Sequence, residues 1–331
     1  MATAKYAKDQ PQGFTNRIER VAIVGAGGQV GKYIAEEILK TGKHTVTALS
    51  RIGSDSKLPD GVNVVNVDYD DEQSVIDALK GHQFLFISLA VTTPPDTQAK
   101  IVNAAAKAGV RWIMPNVYGI DGNNKKLATE NLTAEGVYGG IGAIEKTGVA
   151  SWVAMSCSFW YEFSLAIQIV GYGIDSKNKK ITFYDDGKTI INTSTWVQCG
   201  RAAAALVSLN ELPQDENDTS TTLSHWRNKY LYISSFRISQ RAMLDSLNRV
   251  QGTTDADWDI EHEGSEERFK RGLGILKGGD FTGYPMALYA RTFYPNGDGD
   301  FESKYGLANE VLGLPVEDLD EATRRALTFV K

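Results

Sequence analysis

Cysteine is scarce: Cys157 and Cys199 are the only two in 331 residues. Two cysteines cannot build a disulfide scaffold, and their spacing fits no metal site. The expected home is a reducing cytoplasm. Blocks of Lys or Arg are absent, and the net charge is -6. That balance argues against direct nucleic-acid binding. Long apolar runs are absent too. The longest, Phe159 to Ile174, is broken by Glu162, Ser164 and Gln168, so no membrane contact is expected. The polar stretch from Met1 to Arg20 lacks the apolar region of a secretory signal. There are no repeats and no low-complexity tracts. What is left, 42% hydrophobic and 23% charged, is an ordinary globular composition. The length fits one large α/β domain with an appended part, or two domains.

Against that background one segment stands out. Val21-Ala22-Ile23-Val24 reads as a strand and runs into Gly25-Ala26-Gly27-Gly28-Gln29-Val30-Gly31, followed by a helix from Lys32 to Lys40. Strand, glycine turn and helix is the geometry that holds a pyrophosphate. Side chains do not block the backbone N–H groups, and the helix N-terminus carries roughly half a positive charge. Gly25, Gly28 and Gly31 form G-x-x-G-x-x-G, and Gly27 adds a second register. A bare glycine pattern is weak, but its place in a βαβ unit makes it specific for a dinucleotide.

The first 158 residues alternate strand and helix. Further strands are expected at Thr45–Ser50, Val62–Asp68, Phe84–Ala90, Val110–Met114 and Trp152–Cys157, with helices at Asp71–Leu79 and Thr97–Ala108. This order implies an α/β fold, a Rossmann-type doubly wound parallel sheet with ligands at the carboxyl ends of its strands. Residues 1–158 are the expected cofactor domain. Residues 159–331 are expected to form a smaller mixed α/β subdomain for substrate, with some elements returning to the sheet. There, Ile181–Tyr184 and Lys188–Ile191 flank Asp185-Asp186-Gly187, a hairpin signal. Before the sixth strand, Ala134, Val137, Ile141 and Ile144 make a helical apolar face interrupted by Gly136, Gly139, Gly140 and Gly142. Close helix–sheet packing or close approach to a ligand would explain those glycines.

The end of the second strand discriminates between cofactors. A ribose 2′-OH calls for an acid there, and a 2′-phosphate for a cation. This chain has Ser50-Arg51, and Arg clasps phosphate bidentately. Lys57 adds a second charge nearby. NADP(H) is therefore expected. Asp68, closing the third strand, is either an acceptor for the adenine amino group or a turn residue.

The residues then resemble a known family, the NmrA-like and isoflavone-reductase-like group of atypical short-chain dehydrogenase/reductases. The glycine turn, Arg51, Trp112-Ile113-Met114-Pro115-Asn116-Val117-Tyr118-Gly119 and Ala143-Ile144-Glu145-Lys146-Thr147-Gly148-Val149 carry the resemblance. Phe159–Ser164 and Ile191–Trp196 look like a fungal isoflavone-reductase-like branch, with the likeness running almost to Lys331. The resemblance implies a cytoplasmic fungal protein of secondary metabolism. The departures are equally specific. The family's catalytic Lys, about two turns before its "A-I-E", falls at Val137 here, and no Lys or Arg lies between Lys126 and Lys146. Tyr-x-x-x-Lys is also missing, and Asn116 replaces the family's Ser.

Nicotinamide is expected near Leu89, Ala90, Asn116, Val117 and Tyr118. Tyr118 and Tyr138 are the candidate proton donors, although a tyrosine without a nearby cation keeps a pKa near 10. Lys125 and Lys126 read as a solvated loop. Trp160, Tyr161 and Phe163 suggest an aromatic pocket, with Tyr161 as the expected substrate contact and Trp160 as packing. The first expectation is an NADPH-dependent reductase of a small aromatic or polyketide-like compound. An NADP(H)-binding regulator or redox sensor acting through protein partners is a second. A non-redox isomerase or dehydratase on the same fold is a third.

Overall fold

The computed structural model describes residues 5–330. The first four residues of the polar N-terminal stretch, and Lys331, lie outside the described residues. The first half runs β1 (Arg20–Val24), α1 (Gln29–Lys40), β2 (Thr45–Arg51), β3 (Asn63–Val67), α2 (Glu72–Leu79), β4 (Phe84–Ile87), α3 (Thr97–Lys107), β5 (Trp112–Met114), β6 (Tyr118–Gly119), α4 (Lys125–Glu130), α5 (Ala134–Thr147) and β7 (Ser151–Ser156). The second half adds β8 (Phe159–Trp160), α6 (Tyr161–Ala166), β9 (Ile174–Asp175), β10 (Lys180–Tyr184), β11 (Ile191–Ser194), α7 (Trp196–Val207), β12 (Lys229–Tyr232), β13 (Phe236–Ile238), α8 (Gln240–Gln251), β14 (Asp259–Glu263), α9 (Ser265–Lys277), α10 (Gly283–Thr292), α11 (Glu302–Tyr305) and α12 (Leu319–Leu327).

The main sheet has the order β12-β7-β5-β4-β1-β2-β3, with β6 beside β7, and every pairing in it is parallel. This is the doubly wound architecture expected from the sequence. The chain order reverses between β1 and β4, which opens a crevice at their carboxyl ends. β1, β4 and β7 bury residues on both faces because helices cover both sides. One face packs on α1 and α7 around Val30, Ile34, Phe86, Cys199 and Leu206. The other packs on α2, α3 and α5 around Val75, Ile101 and Ile144. β12 and α7, both from the second half of the chain, take part in this sheet and its cover.

A second core, around Tyr161, Tyr172, Tyr184, Phe236, Leu244 and Phe293, holds two three-stranded sheets, β14-β10-β9 and β13-β11-β8. Here one expectation is corrected. β10 and β11 do not form a hairpin. The turn exists, since the Gly187 N–H donates to the Tyr184 carbonyl at 2.9 Å, with Asp185 and Gly187 both at positive φ. Residues 188–190 then run on without pairing, and β11 joins β8 and β13 while β10 joins β9 and β14. The two strands flanking the turn pair in two different sheets of the second core.

The glycines of α5 are also resolved. A Cβ on Gly140 would fall 2.1 Å from the Gln98 amide nitrogen, so α5 and α3 touch there. Gly136, Gly139 and Gly142 have no neighbour within reach of a Cβ, and packing does not require them. No helix among the described residues is long and apolar enough to cross a membrane.

Candidate functional site

The crevice at the switch point is a cleft of about 210 Å³. Its floor is the glycine turn. Gly25 sits at φ +80°, and a Cβ there would lie 1.8 Å from the Ser88 carbonyl oxygen. The carboxyl ends of β1 and β4 therefore meet backbone to backbone, which only glycine permits. A Cβ on Gly31 would lie 2.1 Å from the Gly25 carbonyl oxygen, so α1 starts tight against the turn. Gly28 is the N-cap of α1 and offers no side-chain cap. The first-turn N–H groups, including those of Gln29 and Val30, have no partner within the helix and suit an anion in the cleft. Gln29 is exposed, and Val30 is buried beneath the turn.

Ser50 and Arg51 line the far side, together with Ser54, Ser56, Leu58 and Tyr69. The segment after β2 folds over the turn, with the Ser56 side chain and the Lys57 carbonyl about where a Gly27 Cβ would be. Arg51 is exposed and makes no ion pair among the described residues. A cation left unpaired beside a glycine turn and an uncapped helix fits a nucleotide carrying an extra phosphate. The Lys57 side chain is exposed and does not line the cleft. Asp68 is exposed and does not line it either. Its carboxylate accepts from the Asp70 N–H at 2.9 Å, which is the turn role. Tyr69 takes the position at the cleft, with its hydroxyl donating to the Leu49 carbonyl at 3.2 Å. Burial pushes the Tyr69 phenol up to about 12, and the Arg51 charge opposes that rise.

Toward the nicotinamide end the lining is Ser88, Leu89, Ala90 and Thr93. Asn116 clamps this end. Its side chain accepts from the Leu89 N–H at 3.1 Å and donates to the Leu89 carbonyl at 3.2 Å, tying β4 to β5. Val117 is buried behind it. Tyr69, Ser54, Ser56, Ser88 and Thr93 were not singled out in the sequence. The signal that could have found them is position, since each follows the carboxyl end of β2, β3 or β4 in the half of the sheet around the switch point.

The expected proton donors lie elsewhere. The Tyr118 ring packs against the α1–α7 core, and its hydroxyl is buried without a hydrogen-bond partner. Burial pushes its phenol far up, with the Cys157 and Cys199 thiols alongside. Tyr118 opens β6 directly after Val117, and the two side chains face opposite cores of the sheet. Tyr138 lines a different cleft, over β12, and donates to the Gly122 carbonyl at 3.0 Å. Tyr161 is fully buried in the second core, and its hydroxyl bonds Thr323 Oγ1 at 2.8 Å. That burial removes it from the expected substrate contacts. Trp160 and Phe163 meet edge to face at 6.4 Å and are only partly buried.

Residues 25–155 match the family model for NAD(P)H-binding domains. Oxidoreductase aprR of Aspergillus flavus is 29% identical over 309 residues, covering 91% of this chain and 96% of that protein. Quinone oxidoreductase 2 of Escherichia coli is 31% identical over 121 residues, covering 35% of this chain and 42% of the relative. Among solved structures, pinoresinol–lariciresinol and phenylcoumaran benzylic ether reductases, described in relation to isoflavone reductases, superpose with a TM-score of 0.73. They are 20% identical, and the match covers 93% of this chain and 99% of that one. The chain therefore carries an NAD(P)H-binding domain over residues 25–155, on the fold of the reductases related to isoflavone reductase.

Proposed function

We propose that the protein is an NADPH-dependent reductase of small aromatic compounds, in the first place quinones. The observation that carries this reading is the cleft itself: a glycine turn, an uncapped helix start and an unpaired Arg51, opening toward Leu89, Ala90 and Thr93. Bound NADPH supplies a hydride. The residues of this chain hold the phosphates, orient the ring beside β4 and β5, and shelter the acceptor. The Tyr118 hydroxyl is buried against the α1–α7 core and the Tyr138 hydroxyl is bonded to the Gly122 carbonyl, which favours an acceptor that tolerates hydride addition without an acid from the chain. A quinone does. Hydride addition to a quinone gives a hydroquinone monoanion, which takes its proton from water. A simple ketone would instead need a donor at the developing alkoxide.

The quinone oxidoreductase relative supports this acceptor class. Similarity to a fungal oxidoreductase over nearly the whole chain supports a redox reaction, and a polyketide-derived quinone would be one acceptor of this class. The two buried free thiols suit a reducing cytoplasm. The test is spectroscopic. The purified protein is mixed with NADPH and a panel of benzoquinones, naphthoquinones and aromatic ketones, and absorbance of the reduced nicotinamide is followed. Oxidation by quinones and not by ketones is expected. Tight NADPH binding with no oxidation across the panel would overturn the reading in favour of a cofactor-sensing regulator.

A further inference from the structure

The helices of the sheet leave one strand face only partly covered. α2, α3 and α5 cover their side as far as β7, and the outermost strand, β12, has a cleft there instead. Tyr230 and Tyr232 are two residues apart on β12, so their side chains leave the same face. They floor a cavity of about 640 Å³, within the size range of small-molecule sites. Tyr138, Trp152, Trp226 and Tyr305 wall it.

These rings are held in place. Tyr305 stacks on Tyr232 with centroids 4.8 Å apart, and Trp152 meets Tyr230 edge on at 5.5 Å. The Tyr232 hydroxyl donates to the buried Asp121 carboxylate at 2.7 Å and accepts from the Asn123 amide at 2.8 Å. A Cβ on Gly122 would lie 2.2 Å from the Tyr230 ring, so the loop after β6 rests directly on it. The charge of the lining is unlike that of the chain. The whole protein carries -6, yet the residues at the cavity surface include Lys125, Lys229 and His225 and no Asp or Glu; the nearest acid, Asp121, is buried beneath the Tyr232 hydroxyl. Neither lysine makes an ion pair among the described residues.

We propose that this cavity is a second ligand site, separate from the cofactor cleft, for a small planar aromatic carboxylate. The ring lies among the tyrosines and tryptophans, and the carboxylate faces Lys125 and Lys229. Aromatic walls give a bare inorganic anion nothing to gain, whereas a carboxylate on the ring would meet two exposed lysines at the rim that have no ion-pair partner among the described residues. β12 is three strands from β4, roughly 15 Å across the sheet, so cofactor and carboxylate bind together. The site does not depend on the reductase reading.

The experiment is calorimetric titration of the whole protein with 1-hydroxy-2-naphthoate, with and without saturating NADPH. One-site saturable binding is expected in both conditions and in Arg51→Ala. It should weaken about tenfold or more in the double variant Lys125→Gln/Lys229→Gln, and also in Tyr305→Ala, with NADPH affinity unchanged. Three results would overturn the proposal: no saturable binding, displacement by NADPH, or equal affinity in both variants. A dimer that Val311→Glu dissociates, with no naphthoate uptake, would assign this face to a second copy and overturn it as well.

Discussion

The Tyr118 hydroxyl has nothing to bond. It is buried against the α1–α7 core without a partner, and an unsatisfied buried polar group costs roughly 1–3 kcal/mol. Tyr118→Phe should therefore leave the protein as stable or raise its stability by about 1 kcal/mol. Urea denaturation measures this, and NADPH affinity should not change. A loss of turnover in that variant would mean the hydroxyl reaches the substrate in the bound state. Arg51 is the opposite case, an exposed charge waiting for a partner. Arg51→Ala should weaken NADPH about 10- to 100-fold and leave NADH nearly unchanged, since charge-assisted bonds contribute roughly 1.5–3 kcal/mol. Fluorescence titration of the two nucleotides distinguishes them. At this scale the glycines and Arg51 were legible because their chemistry depends on backbone position alone. The tyrosines were not. Which face Tyr118 takes follows from the tight bend at Asn116, where the Val117 N–H donates to the Pro115 carbonyl at 2.6 Å, and a run of residue types does not reveal that.

At the scale of elements, glycine has two meanings here. On α7, a Cβ at Gly200 would stand 2.4 Å from the Tyr33 carbonyl oxygen of α1. Gly200→Ala should destabilise the protein by about 1–3 kcal/mol through overpacking, although alanine is the better helix former. On α5, Gly136 and Gly139 meet nothing. Alanine at either should stabilise by about 0.5–1 kcal/mol. Thermal melts of the three variants test the contrast. A second element-scale effect is acid-dependent. Asp320, at the start of α12, accepts from Arg249 and from Ser246. The Arg249 guanidinium holds its carboxyl down to about 2. A carboxyl lowered in the folded state stabilises the fold above its unfolded pKa, near 3.9. That contribution fades as pH falls toward 2. Asp320→Asn should be slightly less stable at neutral pH, and the gap should close between about pH 4 and 2. The surface position keeps it small. Strand and helix positions in the first half were legible, because period and flanking turns agree there. The failed hairpin at Asp185–Gly187 shows the limit: a turn signal is local, while the partner of each strand is decided by distant residues such as Phe236 and Ile260.

For the whole molecule, the cofactor should act as a brace between β1, β2, β4 and α1. A ligand bound only by the folded state stabilises by about 2.7 kcal/mol at a hundred times its Kd. NADPH should raise the melting temperature well above NADH at equal concentration, and Arg51→Ala should erase that difference. Differential scanning fluorimetry reads both. The doubly wound sheet was legible from alternation alone. The place of β12 beside β7 was not, since Lys229-Tyr230-Leu231-Tyr232 carries no mark of which edge it joins.

That pairing has a consequence in time. The Trp152 N–H bonds the Asn228 side chain 76 residues later in the chain, and β7 pairs with β12 immediately beyond. A ribosome adding about 5–20 residues per second needs roughly 4–15 s to supply the missing strand. Throughout that interval β7, whose residues are all buried in the finished protein, presents an open edge. An open apolar edge is a template for a neighbouring chain. Slower synthesis of residues 153–228 therefore lengthens the time in which a neighbouring chain can take the place that β12 fills.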